Sequence, residues 1–369
     1  MATTVRSYSK INLGLAIGPP RADGFHSLAT VYQTLALCDH VRIDAQPARE
    51  TRIRLTTSLP EDDRRVPRSP RNTAWKMVEA ALKLAGATAE VAIHIEKHLP
   101  IQGGLGAGSA NAVAALAGLT RELKLSLSGA TRLQLATAIG SDVPLFLIGG
   151  AVLGLGRGEQ VFPLEDLPPT PCVIAVPEIG VSTPQAFRDW DARHSNAGGP
   201  VPAHPAGTAP LTQADAAVTL EGLSRSIAAA WSEPHSSGVF PPHGPSGPAE
   251  IRRDLAETPL LALVRTGIAN DFEEVVFRQH PPLADIKRLL ANSGRPEDGD
   301  FRPEDGDPCP EDEALCAALS GSGSALFGLY RSPQAADRAA GRLADHGIRA
   351  LRTETLPRGP YWDTMIVAN

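Results

Sequence analysis

The chain of 369 residues has few cysteines, few aromatic residues and no long apolar run, and these shortages exclude several classes of protein. Its four cysteines contain no C-x-x-C pair, which argues against both a zinc site and a disulfide framework. The longest apolar run, 143–155, is shorter than the roughly 20 residues that span a bilayer. The N-terminus lacks the apolar core of a signal peptide. We therefore expect a cytoplasmic protein with reduced cysteines and no membrane partner.

Charge and hydrophobic content narrow the class of protein further. A formal net charge of −6 argues against a nucleic-acid-binding surface. A hydrophobic content of 42% and a charged content of 21% are typical of a globular protein, and the length predicts roughly two domains. The expected partner is a small molecule, and the composition carries no signal for an oligomeric state.

Strand-like and helix-like segments in the first half favour an α+β domain over regular βαβ winding. Strands are predicted at 11–17, 30–37, 41–45, 53–57 and 91–95. One helix is expected to begin at Asn72 and end at Gly86, a second follows the glycine-rich loop described below, and a third covers 130–139 and ends at Gly140.

A new strand pattern at 172–176 predicts a domain boundary near 163–170. The N-terminal domain would cover 1–165 and the C-terminal domain 170–369. The sequence pattern near the C-terminus predicts, in order, a strand within 319–330, a helix over 333–346 and a strand from Met365.

Two segments of the second domain differ in composition from the rest. Residues 191–250 are rich in Pro, Gly, Ser and His, with one helix-like stretch at 214–231. An acidic loop at 295–313 contains Arg-Pro-Glu-Asp-Gly-Asp twice. Both are predicted to be solvated loops, because they bury too little apolar surface to offset chain entropy. The first segment contains four histidines, His194, His204, His235 and His243. Their spacing is irregular, which argues against a metal site there.

The most informative segment is a glycine-rich loop between a strand-like and a helix-like run. It consists of Pro100, Ile101, Gln102, Gly103, Gly104, Leu105, Gly106, Ala107, Gly108, Ser109 and Ala110. Backbone N–H groups of such a loop can converge on an anion, and the N-terminus of the following helix adds positive potential. Ser109 stands where a Walker A motif needs Lys, so the loop predicts a phosphate cradle of another kind. The alternative is a turn that only packs a strand on a helix.

A lysine, an asparagine and an aspartate indicate which reaction could take place beside the predicted phosphate site. Lys10 and Asn12 would share one face of a strand. A buried ammonium needs an anionic partner, for which Asp142 is a candidate, although a helix cap or turn would also explain this residue. If the two pair, Asp142 would orient or deprotonate an alcohol while Lys10 stabilises phosphoryl charge. That arrangement predicts phosphoryl transfer.

These motifs resemble those of a known superfamily. The glycine-rich loop resembles the central motif of the GHMP kinases, and 319–328 resembles their C-terminal glycine-rich motif. Further motifs resemble one branch of this superfamily. Kinases of this branch use ATP to phosphorylate the 2-hydroxyl of 4-diphosphocytidyl-2-C-methyl-D-erythritol in the non-mevalonate isoprenoid route. The segments that carry this closer resemblance are Ser9 to Leu13, Arg21 to His26, Gln33 to Leu35 with Asp39, and Gly140 to Pro144. The match covers 5–190 and 255–369.

The resemblance implies a two-domain α+β fold with the active cleft between the domains. The N-terminal domain would be like ribosomal protein S5 domain 2, and the C-terminal domain would be ferredoxin-like. ATP with Mg²⁺ is the implied cofactor, with no identified metal ligand in the chain. Lys10 and Asp142 correspond to the catalytic pair, the glycine-rich loop to the ATP phosphate site, and Asn72 and Lys97 to positions beside adenine.

Five residues correspond to the binding site for the cytidine-diphosphate-linked methylerythritol. Phe25 and Phe187 would stack on the two faces of cytosine, and His26 would bond to its polar edge. Asn12 and Thr183 would lie beside the methylerythritol group. Without the resemblance, the two phenylalanines would also fit as ordinary core residues.

Three positions depart from the family pattern. Ala107 and Ala110 stand where Gly and a second Ser are common, and Phe25 stands where Tyr is common. None of these removes a group on which the reaction depends, so we expect an active enzyme. One alternative is a homoserine- or mevalonate-type kinase, which has no need of the 21–26 motif. The other is a catalytically silent relative, which has no need of the catalytic pair.

Overall fold

The computed structural model describes residues 2–21, 23–101, 103–194, 260, 269–292 and 312–368. Several predictions lie outside these residues: the helix at 214–231, the acidic repeat, Gln102 of the glycine-rich loop, and His204, His235 and His243. His194 is described, and its Nδ1 lies 2.7 Å from the carbonyl oxygen of Trp190.

The first sheet has the order β3-β4-β2-β5-β6, with β1 paired to β2. Its strands are β1 (Thr3–Pro20), β2 (His26–Pro47), β3 (Arg52–Thr57), β4 (Ala89–Glu96), β5 (Ala151–Leu155) and β6 (Gln160–Pro163). The two strands predicted at 30–37 and 41–45 are one long strand, β2, because it pairs with β1 along almost its whole length. Alternate residues of β4 are buried, so one face of the sheet meets the helices.

Two helices, α1 (Thr73–Ala85) and α2 (Ala107–Glu122), pack on that face, and α3 (Gly129–Ile139) packs against these two helices. The predicted bounds of α1 are confirmed, since the Asn72 side chain accepts from the Ala74 amide and Gly86 ends the helix with φ +61°. α2 approaches β1 and β2 closely at Gly118, where a Cβ would lie 2.6 Å from Ile43. This contact fixes α2 on β2, which pairs with the strand that carries Lys10.

The second sheet has the order β10-β7-β9-β8, and all its neighbours are antiparallel. Its strands are β7 (Pro171–Val176), β8 (Cys316–Leu319), β9 (Leu326–Leu329) and β10 (Arg349–Glu354). The remaining α-helices among the described residues are α4 (Thr183–His194), α5 (Phe272–Gln279), α6 (Pro281–Ala291), α7 (Pro333–Asp345) and α8 (Arg358–Met365). Each sheet carries helices, so the predicted α+β class is confirmed. The bounds proposed for the two domains stay a prediction.

The strand predicted from Met365 is wrong, because Met365 is the last residue of α8. Tyr361 and Met365 stand four residues apart, so both face the first core, where they are buried. The Tyr361 hydroxyl donates to the Phe146 carbonyl oxygen over 2.7 Å. The strand that completes the C-terminal β-α-β unit is β10, and the chain then returns to the first sheet.

A short segment before α5 joins the two halves at β1. Leu15 bonds through its amide to Ala269 and through its carbonyl to the Asp271 amide, over 3.1 and 2.9 Å. The Asp271 carboxylate accepts from the Ile17 amide over 2.7 Å. Burial raises the pKa of Asp271 to about 7, partly opposed by this hydrogen bond from Ile17. A carboxyl group that titrates near neutrality therefore stands in the junction.

Asp271→Asn is expected to stabilise the protein at pH 8. From the ordinary pKa of 3.8 up to about 7, the folded carboxyl keeps a proton that the unfolded one releases, so stability falls as pH rises through this window. The amide stays neutral and its oxygen can still accept from Ile17. Denaturant unfolding at pH 8 should give a free energy of unfolding that is higher than that of wild type by up to about 4 kcal/mol, the full cost of ionising the buried carboxyl group. At pH 4 the variant and wild type should have nearly the same free energy of unfolding. A variant that is less stable than wild type at pH 8 would contradict this account.

Candidate active site

Within the described part of the chain, two cavities share the glycine-rich loop. The larger, of about 820 Å³, is lined among others by Lys10, Asn12, Phe25, His26, Tyr32, Asp142, Thr183 and Phe187. The smaller, of about 360 Å³, is lined by Asn72, Lys97 and the loop residues Pro100, Ile101 and Gly103 to Ser109. Gly104 and Gly106 line both cavities. Molecules held in the two cavities would therefore meet at this loop.

The loop leads directly into the first turn of α2. Gly106 precedes the helix with φ +73°, and no side chain of the described residues caps this end. The first-turn amides and the helix dipole therefore offer an anion site at the wall of the smaller cavity. Ala107, which departs from the family pattern, is the first helical residue and needs no unusual dihedral angles. Ala110 is buried inside α2, away from either cavity lining.

The C-terminal glycine-rich motif at 319–328 packs against this loop. The Ser320 hydroxyl donates to the Gly104 carbonyl over 3.0 Å, and the Ala325 amide donates to the Gly103 carbonyl over 3.2 Å. A Cβ on Gly321 would lie 3.6 Å from Lys10 Nζ. The two motifs, separated by some two hundred residues in sequence, together enclose the Lys10 side chain.

Lys10 and Asp142 face each other, as the sequence predicted. Lys10 Nζ lies 3.4 Å from Asp142 Oδ2, with the lysine side chain 3% and the aspartate 36% exposed. The same ammonium donates to Asn12 Oδ1 over 2.5 Å, so Lys10 and Asn12 share one face of β1. Burial lowers the pKa of Lys10, and the charge and hydrogen bond of Asp142 partly oppose that shift. The pair is thus a desolvated cation beside a carboxylate that remains accessible from the cavity.

Tyr32 on β2 belongs to this group, although sequence reasoning missed it. Its hydroxyl donates to Asp142 Oδ1 over 3.0 Å, and its ring lies 5.5 Å from Lys10 Nζ. Burial, followed by the charge of Asp142, raises the pKa of Tyr32 well above its ordinary value, so the phenol stays a donor. No local sequence pattern marks Tyr32, because its place depends on the strand register that pairs it with Asn12.

The predicted cytosine-binding residues all line the larger cavity, in an arrangement that sequence reasoning did not foresee. Phe187 stacks on His26 with ring centroids 4.9 Å apart, and His26 Nε2 lies 2.6 Å from Asp191 Oδ1. Phe25 is 52% exposed, and the Arg157 guanidinium lies 4.9 Å from its ring centroid. The pairing of Phe25 with Phe187 around a base stays a prediction.

Thr183 begins α4 at the rim of the larger cavity, where its hydroxyl lies 2.6 Å from the hydroxyl of Ser322. Ser322 belongs to the C-terminal glycine-rich motif and was not predicted as a site residue. Nearby, Asn270 donates to the carbonyl oxygens of Leu319 and Gly321 over 2.8 and 2.7 Å. These bonds fix the motif against the segment that joins the two halves.

Asn72 and Lys97 line the smaller cavity, but their side chains also hold its walls together. Asn72 caps α1 and donates to the Pro67 carbonyl over 2.8 Å. Lys97 forms a buried ion pair with Asp39. Asp39 also accepts from the amides of His98 and Leu99 over 2.8 Å each, which fixes the chain just before the glycine-rich loop. Their predicted contacts with adenine stay predictions.

None of the helices described is long and apolar enough to cross a lipid bilayer.

Comparison with known proteins assigns the chain to a family. Residues 72–150 match the family described as GHMP kinases N terminal domain. A 4-diphosphocytidyl-2-C-methyl-D-erythritol kinase of Solibacter usitatus is 35% identical over 343 residues, which cover 92% of this chain and 86% of the relative. The kinase of the same description from Moorella thermoacetica is 30% identical, with 96% and 99% covered.

Solved structures show the same relationship. A 4-(cytidine 5'-diphospho)-2C-methyl-D-erythritol kinase aligns with a TM-score of 0.60 at 26% identity, covering 96% of this chain and 99% of that one. A homoserine kinase from Cytophaga hutchinsonii, at 18% identity and a TM-score of 0.61 with 97% and 95% covered, shares the fold. The predicted two-domain α+β fold of the GHMP kinases is thereby confirmed. On the sequence identity and coverage of its relatives, the chain belongs to the 4-diphosphocytidyl-2-C-methyl-D-erythritol kinase family.

Proposed function

We propose that the protein transfers the γ-phosphoryl group of ATP to the 2-hydroxyl of 4-diphosphocytidyl-2-C-methyl-D-erythritol, giving the 2-phosphate and ADP. Family membership supports kinase activity and this substrate. The observation that carries the proposal is the contact between Lys10 and Asp142 beside the two glycines shared by both cavities. Donor and acceptor would meet there.

The smaller cavity is the proposed ATP site. Uncapped amides at the start of α2 favour a polyphosphate, and the glycines let the backbone approach it closely. Mg²⁺, when bound, would neutralise phosphate charge. The residues present fit such an ion, because Mg²⁺ typically takes one or two protein oxygens and its other ligands from phosphate and water. Ser109 in the first turn of α2 lines this cavity and offers a hydroxyl.

The reaction needs a group that receives the proton of the attacking alcohol. Asp142 is the proposed acceptor, because its carboxylate lines the larger cavity and lies against Lys10. The bond from the alcohol oxygen to the γ-phosphorus forms as the bond to the β-phosphate oxygen breaks, and the proton passes to Asp142. Lys10 would stabilise negative charge on the transferring group. Its burial strengthens that interaction, since the surrounding dielectric is low.

The larger cavity is the proposed site for the cytidylyl substrate. Asn12 and Thr183 lie on the part of its lining that adjoins the catalytic pair and the C-terminal glycine-rich motif. Phe25, His26 and Phe187 supply aromatic surface for a base. Arg157, stacked on Phe25, supplies a cation that suits a diphosphate.

The proposal is tested by measuring ADP release from ATP with a panel of alcohols. The cytidylyl substrate should be turned over with a kcat/KM at least about 100-fold above that of homoserine or mevalonate, since those lack the base and diphosphate. Phosphorus NMR should place the new phosphate on the 2-oxygen. Preferential turnover of homoserine or mevalonate would reject the proposal and favour another kinase of the same fold.

Tyr32→Phe is expected to lower kcat about tenfold with little change in either KM, because Asp142 loses the partner that orients it. In an Asp142→Asn background the same substitution should have almost no further effect, as a double-mutant cycle would show. Tyr8→Phe is the matched control, because Tyr8 is a buried tyrosine that bonds to Thr364 outside the cavity. Equal losses from Tyr32→Phe in both backgrounds would contradict the proposed action through Asp142.

A further inference from the structure

A cluster of two histidines and a glutamate lies outside both cavities. His40 is on β2, Glu96 is the last residue of β4, and His98 follows two residues later. One possible ligand atom from each residue lies within 4.8 Å of the other two. Glu96 Oε1 is 3.3 Å from His98 Nε2, and Glu96 Oε2 is 3.8 Å from His40 Nδ1. We call these three residues the His-Glu-His cluster.

The backbone around this cluster is well fixed. His40 and Glu96 are direct cross-strand partners, so their side chains share one face of the sheet. The His98 amide donates to buried Asp39 over 2.8 Å, which anchors the residue beyond the end of β4. Little chain entropy would be lost when the three side chains converge on one ion.

Neighbouring cations are directed away from the cluster. Arg6, the β1 partner of His40, donates to the Thr364 carbonyl oxygen over 2.5 Å. Lys97, between Glu96 and His98, forms its buried ion pair with Asp39. Glu96 is the carboxylate in contact with both imidazoles, and it would balance part of the charge of a bound cation.

We propose that the His-Glu-His cluster binds one divalent transition-metal ion, with Zn²⁺ as the representative case. Two imidazole nitrogens and one carboxylate oxygen are a donor set that Zn²⁺ accepts, with water completing the coordination. Mg²⁺ prefers oxygen donors and is not expected here. The ion would link β2 to the chain that enters the glycine-rich loop, because His98 stands two residues before Pro100. This site is separate from the proposed reaction.

The test is calorimetric titration of the full chain with ZnCl₂ in the absence of nucleotide. Wild type should bind one equivalent of Zn²⁺ more than His40→Ala/His98→Ala, and Zn²⁺ should raise the melting temperature of wild type more than that of the double variant. The matched control is His94→Ala, since His94 lies on β4 but its Nδ1 is 2.9 Å from the Thr56 hydroxyl. It should bind as wild type does.

Any Zn²⁺ that binds elsewhere on the chain binds equally to wild type and to the variants, so it cancels in the comparison. Glu96→Gln, which removes only charge at an exposed position, should bind Zn²⁺ more weakly and keep the unfolding profile of the metal-free wild type. Equal stoichiometry and affinity in wild type and the double variant would overturn the proposal. The proposal would also be overturned if His94→Ala, like the double variant, bound one equivalent of Zn²⁺ fewer than wild type.

Discussion

Asp142→Asn is expected to lower kcat by about 10²–10⁴-fold, the range in which a general base contributes. The amide can still accept a hydrogen bond but cannot take the proton of the attacking alcohol. It also removes the negative charge that faces Lys10 Nζ at 3.4 Å. KM for ATP should change little, because the nucleotide would be held by the glycine-rich loop and not by this side chain.

Steady-state kinetics with varied ATP and varied alcohol separate these effects. Asp345→Asn is the matched control, because Asp345 is an exposed aspartate at the end of α7, away from the lining of both cavities. The control should keep full activity. Turnover of Asp142→Asn within a few-fold of wild type would mean that Asp142 is not the proton acceptor.

Gly104→Ala is expected to reduce kcat/KM for ATP by about 100-fold or more, because displacement of the phosphate loop by about 1 Å carries a cost of that order. Gly104 has φ +75°, which disfavours any residue with a Cβ. The added Cβ would lie 2.0 Å from the Ser320 carbonyl oxygen, so one of the two glycine-rich motifs must move. Either movement separates the two motifs that enclose Lys10.

The measurement is ATP binding by calorimetry together with kcat/KM, at a temperature where circular dichroism shows the variant to be folded. Gly129→Ala is the matched control, since a Cβ there meets nothing within 4 Å and the φ of Gly129 is not positive. It should bind ATP normally. Normal ATP affinity in folded Gly104→Ala would show that the loop does not hold the phosphates.

Features set by neighbouring residues could be predicted from the sequence. The limits of α1 follow from an Asn cap and a terminal Gly in the left-handed conformation. The helix α3 also ends at the predicted Gly140, although the backbone of that residue is extended. The glycine-rich loop and the helix after it depend on residues within a dozen positions. The need of a buried ammonium for a counter-charge makes Asp142 one candidate partner of Lys10, and the resemblance to the GHMP kinases implies this pair.

Features set by distant contacts could not be predicted. The helical state of residues 358–365 follows from packing of Tyr361 on the first core, which no local pattern reveals. Tyr32 joins the catalytic pair through a strand register that the sequence leaves undetermined. The stack of Phe187 on His26 brings together residues of α4 and β2, and it depends on how the two halves meet.

A structure of the ternary complex with a non-hydrolysable ATP analogue and 4-diphosphocytidyl-2-C-methyl-D-erythritol tests the central claim most directly. We predict that the triphosphate lies at the start of α2 and that the 2-hydroxyl lies within hydrogen-bond reach of Asp142, with Lys10 beside the γ-phosphoryl group. A complex in which the γ-phosphoryl group and the 2-hydroxyl lie away from both Lys10 and Asp142 would contradict the account.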